Sequence, residues 1–206
     1  MNERAAGEDL YISGDIEADG PIPGPFSMLS FGYALAGTYD GERFVRLDPT
    51  ERTFYRELRP ISDDFVPEAL AVSGLDRDAL VRDGAEPAAA MTEAAEWVRE
   101  VAGDRRPVLV AWPLAFDWMW LYWYFVRFGR HGSPFGHQRG LDAKTIYALK
   151  SRERIDRTHK RDLPGALRSR RPHTHNALDD AIEQADLFAN LIDWPGRPRE
   201  DREPLG

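Results

Sequence analysis

Asp15 and Glu17, in DIEADG at residues 15–20, stand two apart in a run that reads as a strand, so both carboxylates point to one face. Neighbouring like charges repel unless a cation holds them, and hard divalent ions such as Mg²⁺ or Mn²⁺ prefer carboxylate oxygens. Taken alone, the pair also suits a solvated strand end. Asp117 is a sharper oddity, being the only acid between Pro107 and Phe128, inside the aromatic run WPLAFDWMWLYWYF. A lone carboxylate there is costly or protonated, so it either serves the first turn of a helix or joins a metal site. The third place is HTHNALDDAIEQ, residues 173–184, which crowds two histidines and two adjacent aspartates.

Helical geometry sorts these. At about 100° per residue, Leu178, Ile182, Ala185, Phe188, Ala189 and Ile192 share one face. Asp179 falls with Glu183, Asp186 and Asn190 on a polar, solvated face, whereas Asp180 falls with Leu187 and Leu191 on a second apolar stripe. A carboxylate among leucines needs a partner, and a metal shared with Asp15 and Glu17 supplies one. His175 precedes the helix by a short step, with His173 and Pro172 ahead of it, so it can hang over the same site from the loop. A loop histidine is otherwise most often exposed and without a role.

The elements that must position these groups follow from pattern. Residues 9–17 read as a strand, 21–25 (PIPGP) as a turn, 26–37 as a second strand, Asp40-Gly41 as a hairpin before ERFVRL, and 52–58 as a further strand, together an antiparallel meander. Met91, Ala94, Ala95, Val98, Val101 and Ala102 mark a helix from about Pro87 to Gly103. PVLVAW is a short apolar strand of the buried, parallel type. Residues 114–128 predict a helix that is apolar almost all round and therefore enclosed, 142–151 and 162–168 predict short helices, and 176–193 the last one. The expected organisation is one domain over 1–194 with a polar, disordered tail at 195–206, on an α/β sheet of mixed direction.

Composition narrows the class. The 206 residues are 42% hydrophobic and 30% charged, a globular balance. With no Cys, disulfides and thiolate metal sites are excluded. MNERAAGED shows no apolar signal segment, which together with the missing Cys predicts a cytoplasmic protein. Residues 108–126 approach the length of a membrane span, yet Pro113 divides them and Asp117 would sit near mid-bilayer, so no membrane association is expected. The net charge of −8 hides a segregation. Residues 127–175 hold thirteen Lys and Arg against four Asp and Glu, and all five histidines. A basic third on an acidic chain suits a polyanion and predicts a basic wall beside the site.

The three places together resemble the three motifs of the DEDDh exonuclease family: DIE at 15–17, Phe116-Asp117, and His175-Asn176-Ala177-Leu178-Asp179-Asp180 as HxAxxD. That family includes proofreading exonucleases, oligoribonuclease and ribonuclease T, and the resemblance runs over about residues 9–193. It implies a ribonuclease H-like fold, a mixed five-stranded sheet flanked by helices. It implies 3′→5′ hydrolysis with two Mg²⁺ ions, for which Mn²⁺ would substitute. Carried onto this chain, Asp15 would bridge both ions, Glu17 and Asp180 would complete the ligand set, and Asp117 would serve the second ion. His175 would be the general base, since an imidazole titrates near neutrality. Ala18, Trp112 and Phe116 would border the substrate, with Trp112 either stacking on a base or belonging to the core. A homodimer is implied by the same analogy.

Two departures stand out. The family's HNxxFD reads Trp112-Pro113-Leu114-Ala115-Phe116-Asp117 here, and the glycine loop after the first motif reads Ala18-Asp19-Gly20 followed by prolines. The sequence thus predicts a stand-alone 3′→5′ exonuclease acting on the 3′ end of single-stranded nucleic acid, with RNA or short oligonucleotides slightly ahead of DNA on chain length alone. The alternatives are a catalytically silent nucleic-acid-binding domain on the same fold, and a haloacid-dehalogenase-like phosphatase. The first is disfavoured by retention of all five acid and base residues, the second by Glu17, one methylene longer than the aspartate that chemistry uses.

Overall fold

The computed structural model describes residues 7–198. The β-branched and aromatic residues of the first half form β1 (Asp9–Ala18), β2 (Met28–Tyr39), β3 (Phe44–Arg46) and β4 (Thr53–Glu57), all antiparallel neighbours around β2. Next come α1 (Pro67–Ser73), α2 (Arg77–Asp83) and α3 (Pro87–Ala102), of which the sequence pattern indicates only the last. β5 (Arg106–Ala111) lies parallel to β1, and α4 (Leu114–Phe128) leads to β6 (Gly140–Asp142), parallel to β5. α5 (Ala143–Ser151) and α6 (Ala177–Asp193) close the fold. The sheet runs β3-β2-β1-β5-β6, with β4 also on β2. β3 takes residues 37–39 of β2 and β4 takes residues 30–34, so six strands make a mixed sheet five positions wide. This is the ribonuclease H-like architecture expected from the motifs.

Each face of the sheet has its own core. On one, Ile12, Tyr33 and Leu109 pack against α3 and α4 through Met91, Val98, Trp120 and Tyr124. On the other, Ala34 and Val110 meet α5 and α6 through Tyr147, Ala181, Ala185 and Phe188. Several expectations need correction. α4 is enclosed on one side only: Trp120, Leu121, Tyr124 and Phe125 are buried, but Phe116 and Val126 are 41% and 60% exposed. No helix spans 162–168, because Pro164 and Gly165 leave only a 3₁₀ turn at Lys160–Asp162 and a loop. Of the predicted tail, residues 199–206 lie outside the described residues, while Arg197 ties back to Lys150 O and Glu153. Among the described residues no helix is long and apolar enough to cross a membrane.

One contact sets the depth of α6. Gly32 pairs with Asp15 across β1 and β2, and a Cβ there would lie 2.6 Å from Leu178 Cα and 2.7 Å from Ala177 O. The first turn of α6 therefore rests on bare backbone. Gln184, fully buried, adds a tie by donating from Nε2 to Ser13 Oγ (3.1 Å) and Gly14 O (3.0 Å). Gly32→Ala should push this helix end outward, at a cost of about 1–3 kcal/mol from overpacking. A displacement of about 1 Å at Asp180 should lower turnover roughly 100-fold. Wild-type turnover in the alanine variant would show that the helix end has slack.

Candidate active site

The site forms where β1 outruns its parallel neighbour. β5 pairs with β1 only as far as Ser13, so Asp15-Ile16-Glu17 loses its partner on that side. The first turn of α4 fills the gap, with Asp117 Oδ1 accepting from the Ile16 amide at 3.2 Å. Asp117 is 5% exposed. Its carboxylate spans from helix to strand and sits on the backbone between the two acids of the first motif.

Asp180 arrives from the opposite layer, in the first turn of α6 and 1% exposed. Asn176 caps that helix, its Oδ1 accepting from the Leu178 and Asp179 amides at 3.0 and 3.2 Å. The preceding loop wraps over Asp180. Thr174 N donates to Oδ1 at 2.9 Å, His175 N to Oδ2 at 3.0 Å, and His173 Nδ1 lies 3.0 Å from Oδ1. As the wheel predicts, Asp180 is buried and Asp179 exposed. One carboxylate oxygen each from Asp15, Glu17 and Asp180 lie within 4.8 Å of one another. His175, left-handed at φ 58°, carries its exposed ring at the lip of this cluster, 4.6 Å from the His173 ring.

Electrostatics marks the cluster as short of positive charge. Burial, then repulsion from Asp180 and Asp117, pushes the Glu17 carboxyl up to about 8. Burial raises Asp117 to about 7, and burial plus the Asp117 charge raises Asp15 well above the usual carboxylate range. An all-oxygen donor set that cannot ionise freely by itself fits a hard divalent cation. A stability prediction follows for the metal-free protein. Carboxyls with raised folded pKa hold protons that the unfolded chain has released, so stability falls as pH climbs from about 4 towards about 8. One such proton gives a slope of about 1.4 kcal/mol per pH unit, and a domain of this size moves roughly 2–4 °C per kcal/mol. In chelator the melting temperature should fall by at least about 5 °C between about pH 5.5 and 7.5, and Mg²⁺ should restore most of the loss at the higher pH only. A flat profile in chelator would refute the buried-charge account.

The wheel misplaced Glu183. It is 8% exposed and pairs with Lys160 Nζ at 2.9 Å. The Lys160 charge also lowers both Asp15 and Asp117. The only sequence signal for this pair is Glu183 lying one helical turn beyond Asp180; nothing marks Lys160 within its basic run. The residues expected at the substrate divide. Trp112 is 8% exposed and packs on Tyr147 at 5.7 Å between ring centroids, so the structure puts it in the core. Ala18 is 9% exposed and pairs with Met28 at the end of β1. Phe116 is exposed beside Asp117, its ring edge-on to Trp120. The departure at Asp19 also has a structural reason: the buried carboxylate accepts from Ser27 N at 2.6 Å and from Arg77 Nε at 3.1 Å, clasping the proline turn.

Solved structures share this fold. The nuclease domain of 3′hExo, a DEDDh family member bound to rAMP, superposes with a TM-score of 0.66 at 15% identity, over 94% of this chain and 98% of that one. Exonuclease I of E. coli in complex with a dA16 oligonucleotide gives 0.60 at 16% identity over 89% of this chain, which spans 40% of that enzyme's length. At such identities the likeness is one of fold. Fold and motifs together define a 3′→5′ exonuclease of the DEDDh type. Residues 73–192 match the model of the 3′-5′ exoribonuclease Rv2179c-like domain, and the chain belongs to that family. Over 188 residues it is also 36% identical to the 3′-5′ DNA exonuclease Cap18 of Escherichia coli, covering 90% of this chain and 92% of that protein.

Proposed function

We propose that this chain removes nucleotides from the 3′ end of single-stranded nucleic acid, DNA as well as RNA, with Asp15, Glu17, Asp117 and Asp180 holding two Mg²⁺ ions and His175 acting as general base. The convergence of the three carboxylate oxygens within 4.8 Å carries this reading. These carboxylates would hold the ions, whose charge would stabilise the attacking and the leaving oxygen of an in-line displacement, and the same oxygen donors would accept Mn²⁺. His175, on an exposed loop hydrogen-bonded to Asp180 through its backbone, takes the proton from the attacking water. Phe116, exposed beside Asp117, offers its ring to the terminal base.

Including DNA rests on coverage. The match to the DNA exonuclease runs over 188 residues, whereas the exoribonuclease model begins at residue 73, beyond Asp15 and Glu17. The test is degradation of 5′-labelled single-stranded DNA and RNA with Mg²⁺, with Mn²⁺ and with chelator. A metal-dependent ladder shortening from the 3′ end supports the proposal, and the ratio of rates ranks the two substrates. Binding of both strands without cleavage in either metal would overturn it in favour of a silent binding domain.

A further inference from the structure

Several of the basic residues between 127 and 175 do not form a wall; they tie the fold. Lys150 Nζ donates to Leu191 O and Ile192 O at 2.8 and 2.9 Å, Arg168 to Leu163 O and Arg161 O at 2.7 and 2.8 Å, and Arg139 to Pro134 O at 2.7 Å. Positive charge gathers instead in a cavity of about 640 Å³ between the loop before His175, the outer face of α6 and β3. Arg46, Arg168, Arg170 and Arg171 line it, against one lining carboxylate, Asp186. Asp186 accepts from Arg171 Nε at 3.1 Å, and Asn190 Oδ1 accepts from Arg46 at 2.7 Å. Arg170 is exposed and, among the described residues, is held by no hydrogen bond, ion pair or ring.

Four arginines line one cavity; Arg168 is turned to backbone carbonyls, Arg46 and Arg171 to polar side chains, and Arg170 is unengaged, a lining that matches phosphate oxygens better than a neutral ligand. The position fits a strand leaving the active site. Asp186 and Asn190 lie six and ten residues beyond Asp180 on the same helix, about 9 and 15 Å along its axis. At about 3.4 Å per stacked nucleotide, that is roughly three to four nucleotides. Arg171 is four residues ahead of His175, so one loop joins the two places.

We propose that this cavity is a second phosphate-binding site, which holds the backbone of the substrate strand roughly three to four nucleotides upstream of the scissile bond. The inference rests on the exonuclease reading above, and the experiment separates the two. Initial rates are measured on 5′-labelled single-stranded DNA from about two to about ten nucleotides long, for wild type, Arg170→Ala and Arg170→Glu. Binding of the longest strand in chelator is measured by anisotropy. For wild type, KM should fall as length passes about four nucleotides. Arg170→Ala should raise KM about 3- to 10-fold on the longest strand, Arg170→Glu should raise it more, and neither should change the dinucleotide rate. The salt slope of binding should drop by about 0.7 in Arg170→Ala, the share of one phosphate on a single strand. Equal losses on dinucleotide and long strand, no loss on either, or a wild-type KM independent of length would each overturn the site while leaving the exonuclease standing. Length-dependent binding that the variants weaken, without cleavage by wild type, would keep the site and overturn the exonuclease. Binding of 5′-dAMP as tightly as of the longest strand, with the same sensitivity to Arg170, would replace the strand by a mononucleotide and overturn the inference.

Discussion

His175→Ala is expected to lower kcat by about 10²–10⁴-fold, the usual contribution of a positioned general base, while metal still raises the melting temperature as in wild type. The two readouts separate because the residue does two things with different atoms. Its amide holds Asp180 Oδ2 at 3.0 Å, and alanine keeps that amide. Its ring is exposed, so truncation opens no cavity. The backbone at φ 58° favours Asn, Asp or His over other non-glycine residues, which makes the uncharged His175→Asn the companion variant with the loop least disturbed. His173 supplies the contrast. Its Nδ1 lies 3.0 Å from Asp180 Oδ1, so it acts on the carboxylate and not above it. His173→Ala should raise the Mg²⁺ concentration needed for half-maximal rate about 10- to 100-fold, with kcat at saturating metal near wild type. Should His173→Ala lose kcat while His175→Ala keeps it, the two assignments exchange.

The sequence reading succeeded where one element carried all the information. The period of α6 alone separates Asp180 from Asp179, and the lone acid of α4 is visible because everything around it is apolar. It failed where a residue's surroundings come from elsewhere in the chain. Glu183 looks solvated on its own helix but is buried, and it pairs with Lys160, 23 residues earlier. Trp112 sits at a motif position, but Tyr147 of a later helix claims its ring. Helices α1 and α2 escaped notice because their seven-residue spans bury only Leu80 between them and so have no periodic face. The basic segment looked like one surface, since composition does not show that Lys150 and Arg168 point at backbone carbonyls. The missed strand is β6: its three residues, Gly140–Asp142, are too few to show an alternating pattern and lie in the segment read as basic and broken.

Asp15→Asn should separate stability from function. Asp15 is held far from its preferred ionisation by burial and by the Asp117 charge, with further repulsion from Glu17 and Asp180. In the metal-free protein near neutral pH, that carboxylate is a liability that only a cation relieves. Asparagine keeps the shape and is neutral without a bound proton, so the cost of keeping the Asp15 carboxyl protonated at this pH disappears. The melting temperature in chelator should therefore rise, by about 3–6 °C if about 1.5 kcal/mol of that cost is removed. The same change should abolish most of the Mg²⁺-induced stabilisation, because the carboxylate that faces every other acid of the site is gone. Turnover should fall at least about 10³-fold, the equivalent of about 4 kcal/mol of transition-state charge stabilisation. A more stable, metal-indifferent and inactive protein is the signature of acids held together for a ligand and not for the fold. Thermal melts with and without Mg²⁺ beside a single-turnover assay decide it. A less stable Asp15→Asn protein in chelator would mean that local hydrogen bonds satisfy the carboxylate, and the case for a cation-dependent site at the end of β1 would fall with it.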